Sequence, residues 1–214
     1  MQREVVRDAV GIGIAVGAYG LSFGAIAVSA GLSTLQTCAT SLLMFTGASQ
    51  FALVGVLGAG GSAVAGVLSA LLLGSRNTLY AVRLVDLLRI SGPRRVLAAQ
   101  VTIDETTAMA TAAPDGLERL AFWATGASVY GLWNLGTLLG AIGAAQLGDP
   151  ATFGLDAAVP AAFLALLAPR LRERQGQLVA LAGALLALAA IPLVRPGVPV
   201  LIAGLAVVPL LVRR

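Results

Sequence analysis

Two neighbouring acidic residues, Asp104 and Glu105, stand in a run of threonine and aliphatic residues, VTIDETTAM, which begins at Val101. Neighbouring side chains on a helix point about 100° apart, so one acid can face a cavity while the other meets an arginine. In apolar surroundings a carboxylate titrates closer to neutral pH and can relay protons. The pattern predicts proton coupling by Asp104 or Glu105; the alternative is a solvated acid pair on an interfacial helix.

One arginine, Arg76, lies close to the end of a long apolar run, between LLLGS and NTLY. An arginine in hydrocarbon costs about 2.5–3.5 kcal/mol and normally needs a partner or a water-filled cavity. Because a guanidinium binds carboxylates well, Arg76 and its neighbour Asn77 are candidates for binding a small ligand. The alternative is that Arg76 extends to lipid headgroups along its apolar stem.

Two further apolar runs carry polar or aromatic residues near their middle. Ser49, Gln50 and Phe51 stand in one of these runs, and Trp133 and Asn134 stand in the other. Aromatic residues that anchor a protein in a bilayer belong at its two surfaces rather than in mid-run. We therefore predict that Trp133 and Asn134 contribute to an apolar substrate pocket, with ordinary core packing as the alternative. Ser49, Gln50 and Phe51 are also predicted to bind substrate.

The absence of histidine narrows the possible chemistry. Without histidine and with a single cysteine, Cys38, the chain has no imidazole metal site, no Ser–His pair and no histidine relay. It also lacks a Gly-x-x-x-x-Gly-Lys loop for ATP. We predict no metal, no cofactor and no enzymatic activity. The alternative function is an intramembrane enzyme of aspartyl or serine type, although Asp104 has no second acid in a matching motif.

The composition indicates the environment in which these residues lie. Hydrophobic residues make up 58% of the 214 residues and charged residues 11%, and the mean hydropathy is +0.91. A soluble domain cannot bury so much apolar surface, whereas a bilayer can. The net charge of +4 comes from arginines at the ends of apolar runs, which is typical of cytoplasmic flanks rather than of nucleic-acid binding.

The fold class predicted from these runs is an all-α polytopic membrane helix bundle, formed by residues 1–214 as a single integral membrane domain. Long apolar runs indicate helices, because lipid offers the backbone no hydrogen-bonding partner. About six to eight hydrophobic elements are expected. The apolar blocks are 10–30, 35–57, 62–82, 120–146, 151–168, 177–194 and 197–212, with a less apolar stretch at 96–113.

The positions of the arginines predict an interrupted helix. Arg7 and Arg83 should both face the cytoplasm, yet three apolar blocks separate them and an even number of crossings is required. Block 35–57 is the best candidate for the exception, with a broken helix near Gly47 and Gln50. An intact helix whose small residues pack against a neighbour is the alternative. The arginine-free loop at 149–156 should face outward.

Weak internal similarity suggests two halves, 1–113 and 114–214. The triplet Tyr-Gly-Leu at Tyr19 recurs at Tyr130, and ASQF at Ala48 corresponds to PAAF at Pro160. Transporters are often built from two such halves with the substrate between them. Pairs of glycines four residues apart, such as Gly13 and Gly17, predict close helix contacts or a seam for a second subunit.

Several runs together resemble the AzlC/BrnF family, the large subunit of branched-chain amino acid exporters. The similar runs are LSFGAIAVSAGL from Leu21, FTGASQF from Phe45, RNTLY from Arg76, TIDET from Thr102, GLD from Gly154 and PAAF from Pro160. This resemblance covers nearly the whole chain.

The resemblance implies gradient-driven export of branched-chain and similar small apolar amino acids across the bacterial inner membrane. It also implies a small membrane partner of the AzlD/BrnE type. Arg76 or a half-helix N-terminus would suit the substrate carboxylate, and the acid pair would suit its ammonium group or a coupled proton. The family often has histidine where this chain has Asn77, so the carboxylates would have to replace any coupling role of that histidine.

Overall fold

The computed structural model describes residues 1–147 and 158–209, and in these ranges all regular secondary structure is helical. This confirms the all-α class. The predicted outward loop at 149–156, including the GLD run, lies outside the described residues. The α-helices are α1 (Gln2–Ser29), α2 (Thr34–Leu43), α3 (Gly47–Gly58), α4 (Ala63–Leu88), α5 (Arg94–Gln100), α6 (Asp104–Ala112), α7 (Glu118–Leu147), α8 (Ala158–Leu167), α9 (Arg174–Ala190) and α10 (Val198–Gly204).

Helix α1 is sufficiently long and apolar to cross a membrane by its length and composition alone, and it is the one described helix of which this is true. Helices α4 and α7 contain 26 and 30 residues, which exceeds the roughly 20 residues that a bilayer requires. Arg76 and Asn77 lower the mean hydropathy of α4. Polar residues therefore occur within helices that have the length of a membrane span.

Helices α1 and α7 run parallel and pack closely along faces of small residues. A methyl group added at Gly17 would lie 2.9 Å from Leu132 Cβ, and one added at Gly20 would lie 2.5 Å from the Trp133 carbonyl oxygen. Further along both helices, Gly24 faces the Thr137 backbone. Residue numbers rise together in the two helices, so their directions agree. The glycine spacing thus serves contact between two helices of this chain.

Helices α2 and α3 form a hairpin that enters and leaves at the C-terminal end of α1. Helix α2 begins just after α1, with Ser33 and Gln36 forming a capping box. Gly58, the last residue of α3, lies against Ala30, where a Cβ on the glycine would be 3.4 Å from the alanine Cβ. The block predicted to be interrupted is therefore a hairpin of two short helices. Its break is at residues 44–46, and Gly47 begins the second helix.

Helices α5 and α6 form a second hairpin, which enters from the opposite end of the molecule. It follows the end of α4 and precedes α7, and these two ends are joined where Arg119 Nε donates to the Leu88 carbonyl at 2.7 Å. The break at residues 101–103 was not foreseen from the sequence. At the hairpin tip, Gln100 Nε2 donates to the carbonyl of Leu42 at 2.7 Å, so the two tips meet.

An aromatic core surrounds this meeting point. Phe23 of α1 lies 6.0 Å from Trp133 of α7 in a stacked arrangement and 5.7 Å from Phe51 of α3 at right angles, measured between ring centroids. Phe45, in the first break, packs edge-on against Tyr130 at 4.8 Å. The first hairpin is thereby fixed against both long helices by its aromatic side chains.

Candidate functional site

A cavity of about 230 Å³ lies where the two hairpin tips meet α1, α4 and α7. A water molecule occupies about 30 Å³ in the liquid, so the cavity has room for a small organic molecule. Its walls combine aromatic, aliphatic and charged side chains. The lining residues are Val16, Tyr19, Phe45, Thr46, Gly47, Ala48, Phe51, Arg76, Ile103, Asp104, Glu105, Val129, Trp133 and Phe163.

Arg76 and Asp104 form an ion pair in the wall of this cavity. Arg76 Nη2 lies 2.7 Å from Asp104 Oδ2, and each side chain is about one-third exposed, at 30% and 31%. Arg76 therefore has the partner that an arginine within an apolar helix requires. The contact is end-on: Arg76 Nε and Asp104 Oδ1 are both buried and have no hydrogen-bond partner among the described residues. The pair therefore uses one nitrogen of the guanidinium group and one oxygen of the carboxylate.

Glu105 lines the same cavity but makes no ion pair within the described part of the chain. Both acids stand in the first turn of α6, where the N-terminal end of the helix dipole favours negative charge. The break before α6 is held by Thr106, whose hydroxyl donates to the Val101 carbonyl at 2.7 Å and accepts from the Ile103 amide at 3.0 Å. The two predicted acids therefore differ: one is paired with arginine, and the other is not.

The N-terminus of α3 forms another part of the wall. Gly47 and Ala48 line the cavity, and the side chain of Thr46, at the N-cap position, accepts no capping hydrogen bond from a backbone amide of the helix. Ser49 and Gln50, which were predicted to bind substrate, are buried but are not among the lining residues. Ser49 Oγ lies 3.4 Å from Thr46 Oγ1, and Gln50 Nε2 lies 3.4 Å from the Thr40 carbonyl oxygen. The Ser49 side chain thus contacts the break, and the Gln50 side chain contacts α2.

Of the remaining predicted residues, two line the cavity and two do not. Phe51 and Trp133 line the cavity, with ring centroids 6.2 Å apart and planes nearly perpendicular. Asn134 and Asn77 are not among its lining residues. Asn134 Nδ2 donates to the Tyr130 carbonyl of its own helix at 2.8 Å. Five of the nine predicted residues thus meet in one cavity, and the other four lie outside its lining.

Several lining residues were not singled out from the sequence as binding candidates. Tyr19 and Phe163 belong to the two internally repeated motifs, and that repetition was the available signal. Phe45 and Thr46 begin the run FTGASQF, in which the sequence predicts substrate binding only for the last three residues. Val16 and Val129 are ordinary aliphatic residues of long helices, and nothing local marks them.

The AzlC protein family matches residues 11–147, which span α1 to α7 and contain every lining residue except Phe163. The chain belongs to the AzlC family. The resemblance inferred from its motifs is thereby confirmed. The matched segment contains both hairpins, the ion pair and the aromatic residues Phe51 and Trp133.

Two relatives place this AzlC chain among membrane proteins. Inner membrane protein YgaZ of Escherichia coli K12 is 30% identical over 193 residues, which cover 85% of this chain and 79% of YgaZ. An uncharacterised membrane protein of Archaeoglobus fulgidus is 29% identical over 165 residues, which cover 76% of this chain and 73% of that protein. No solved structure matches the chain.

Proposed function

We propose that this AzlC chain is the large subunit of a gradient-driven secondary transporter that exports branched-chain and similar small apolar amino acids. In this proposal it crosses the bacterial inner membrane several times and works with a small AzlD/BrnE-type membrane subunit. The observation that carries the proposal is the cavity, in which an ion pair, an unpaired acid and an aromatic wall lie together.

Two features of a zwitterionic amino acid with an aliphatic side chain can be assigned to this cavity. Its ammonium group would bind the unpartnered Asp104 Oδ1 or the Glu105 carboxylate. Its side chain would lie against Phe51, Trp133 and Val129. A site of this size that is mostly apolar, with few polar groups, is typical of small-molecule binding. The cavity therefore supports small apolar amino acids over large or strongly charged ones.

The two re-entrant hairpins support transport rather than simple binding. Discontinuous helices at membrane depth are tolerated where they line a cavity, and transporters place their substrate sites at such breaks. Here the hairpins enter from opposite ends, and their tips are joined by the bond from Gln100 to the Leu42 carbonyl. Separating α2–α3 or α5–α6 from the bundle would open the cavity toward one end or the other.

Glu105 is the proposed proton-coupling residue, because Asp104 is engaged with Arg76. A carboxylate that loses its proton on one side of the membrane and regains it on the other would couple substrate movement to a proton gradient. The exposed apolar side chains on α4 and α9, among them Leu71 and Leu188, support contact with lipid or with the small subunit. The relative YgaZ is an inner membrane protein, which supports the same location for this chain.

The test is leucine counterflow in proteoliposomes. Liposomes loaded with unlabelled L-leucine and containing the chain together with its small membrane subunit should accumulate labelled L-leucine, whereas L-lysine should not compete. Net efflux should require a pH gradient. Full gradient-driven transport by the chain alone would refute the requirement for the partner, and absence of leucine exchange by the complex would refute the proposed substrate class.

A further inference from the structure

We propose that the carboxylate of the transported amino acid lies at the N-terminus of α3, bound by the backbone amides of Gly47 and Ala48 and by the indole N–H of Trp133. Arg76 then remains paired with Asp104 instead of binding the substrate directly. This inference rests on the proposed function, and it assigns the atoms that recognise one end of the substrate.

The amides of Gly47 and Ala48 are donors without acceptors. The first backbone bonds of α3 are those that Ser49 and Gln50 donate to the Thr46 carbonyl, and among the described residues Gly47 and Ala48 donate none. First-turn amides point out of a helix along its axis, which here means toward the cavity that both residues line. Such amides, at the positive end of the helix dipole, favour a carboxylate.

Trp133 supplies the second, independent observation. Its side chain is only 4% exposed, it lines the cavity, and its Nε1 has no acceptor among the described residues. The six-membered ring packs against the first residue of α3: a Cβ on Gly47 would lie 3.3 Å from Trp133 Cη2 and 3.7 Å from each of Cζ2 and Cζ3. A buried donor without an acceptor destabilises the empty protein, and a carboxylate oxygen would remove that cost.

Arg76 is a weaker candidate for the same role. Its Nη2 already binds Asp104 at 2.7 Å, so the carboxylate of a substrate would compete with Asp104 for the same guanidinium group. The lining residues carry one cation and two acids, which favours the ammonium end of a zwitterion near Asp104 and Glu105. The carboxylate is then directed to the uncharged donors of α3 and Trp133.

The experiment compares L-leucine with L-leucinamide, which keeps the ammonium group and side chain but lacks the carboxylate. Binding of both is measured on the full chain, purified with its small membrane subunit, by isothermal titration calorimetry. Trp133→Phe keeps an aromatic ring and removes the N–H. We expect it to weaken leucine binding about tenfold, the range of one hydrogen bond to a charged group, and to change leucinamide binding less than twofold.

Two further variants make this test specific. Trp123→Phe is the matched control, because Trp123 packs against Phe122, 5.2 Å away between centroids, and does not line the cavity; both affinities should be unchanged. Ala48→Pro removes a donor at the second position of α3, where the first turn of a helix tolerates proline, and the preference for leucine over leucinamide should again fall. If Trp133→Phe does not fold, Ala48→Pro still tests whether the amides of α3 bind the carboxylate.

The possible results separate the inference from the proposed function. If the wild-type complex binds leucine and the preference over leucinamide survives both Trp133→Phe and Ala48→Pro, the carboxylate site is wrong while the substrate class stands. Loss of that preference in Arg76→Lys alone would place the carboxylate on the arginine and overturn the inference. If the wild-type complex does not bind leucine, the proposed function fails, and the inference fails with it.

Discussion

The ion pair between Arg76 and Asp104 provides the sharpest test of the site. Asp104→Asn removes the carboxylate and leaves the arginine partly buried and without a counterion. Exposed ion pairs contribute about 0.2–1 kcal/mol, whereas breaking a buried pair costs about 3–5 kcal/mol. Because both side chains are about one-third exposed, at 30% and 31%, we expect a loss of about 2 kcal/mol in the free energy of unfolding.

A loss of this size should lower the Tm by roughly 4–8 °C for a chain of this length, measured by thermal unfolding of the purified protein in detergent. Asp115→Asn is the control, because Asp115 is an exposed acid in the turn before α7, and its Tm should change by less than about 1 °C. The double variant Arg76→Gln with Asp104→Asn should be more stable than Asp104→Asn alone, since no unpaired charge remains. Equal Tm shifts for the Asp104 and Asp115 variants would refute this account of the pair.

Three further predictions follow from the described geometry. Arg76→Lys should retain leucine affinity within about threefold, because the pair is end-on and a lysine can replace a single contact; a loss of tenfold or more would contradict this. Gly136→Ala should lower the Tm, because its methyl group would lie 3.1 Å from the Leu21 amide nitrogen, whereas Gly131→Ala, with open space around it, should raise stability by up to about 1 kcal/mol. Glu105→Gln should abolish pH-driven leucine efflux but retain counterflow, while the exposed-acid control Glu173→Gln should preserve both; normal pumping by Glu105→Gln would place coupling elsewhere.

The sequence predicted those site residues whose chemistry conflicts with their surroundings. Arg76, Asp104 and Glu105 were identified because charges are costly in apolar runs, and the structure places all three in one cavity. The first break was inferred from topology, since the arginines at both ends required an even number of crossings. These inferences depend on local composition and on charge, which one sequence provides.

The second break had no comparable signal. Residues 101–103 contain neither glycine nor proline, and the hairpin is held by contacts with distant residues, such as that from Gln100 to Leu42. Three threonine hydroxyls also bond nearby carbonyls, with Thr102 donating to Ala98 at 2.7 Å. Hydroxyls of this kind compete with regular helix hydrogen bonds, but their effect depends on the tertiary partners that the sequence does not specify.

The two sides of the first break are satisfied unequally, and this explains why the α3 end of the cavity is suited to an anion. At the end of α2 the Leu42 carbonyl accepts from Gln100 at 2.7 Å and from the Tyr130 hydroxyl at 3.2 Å. At the start of α3, the first amides have no such partner among the described residues. Breaking a helix exposes carbonyls and amides together. Because the bundle satisfies the carbonyls and leaves the amides, the remaining polarity of the break is positive, and a carboxylate is the ligand that complements it.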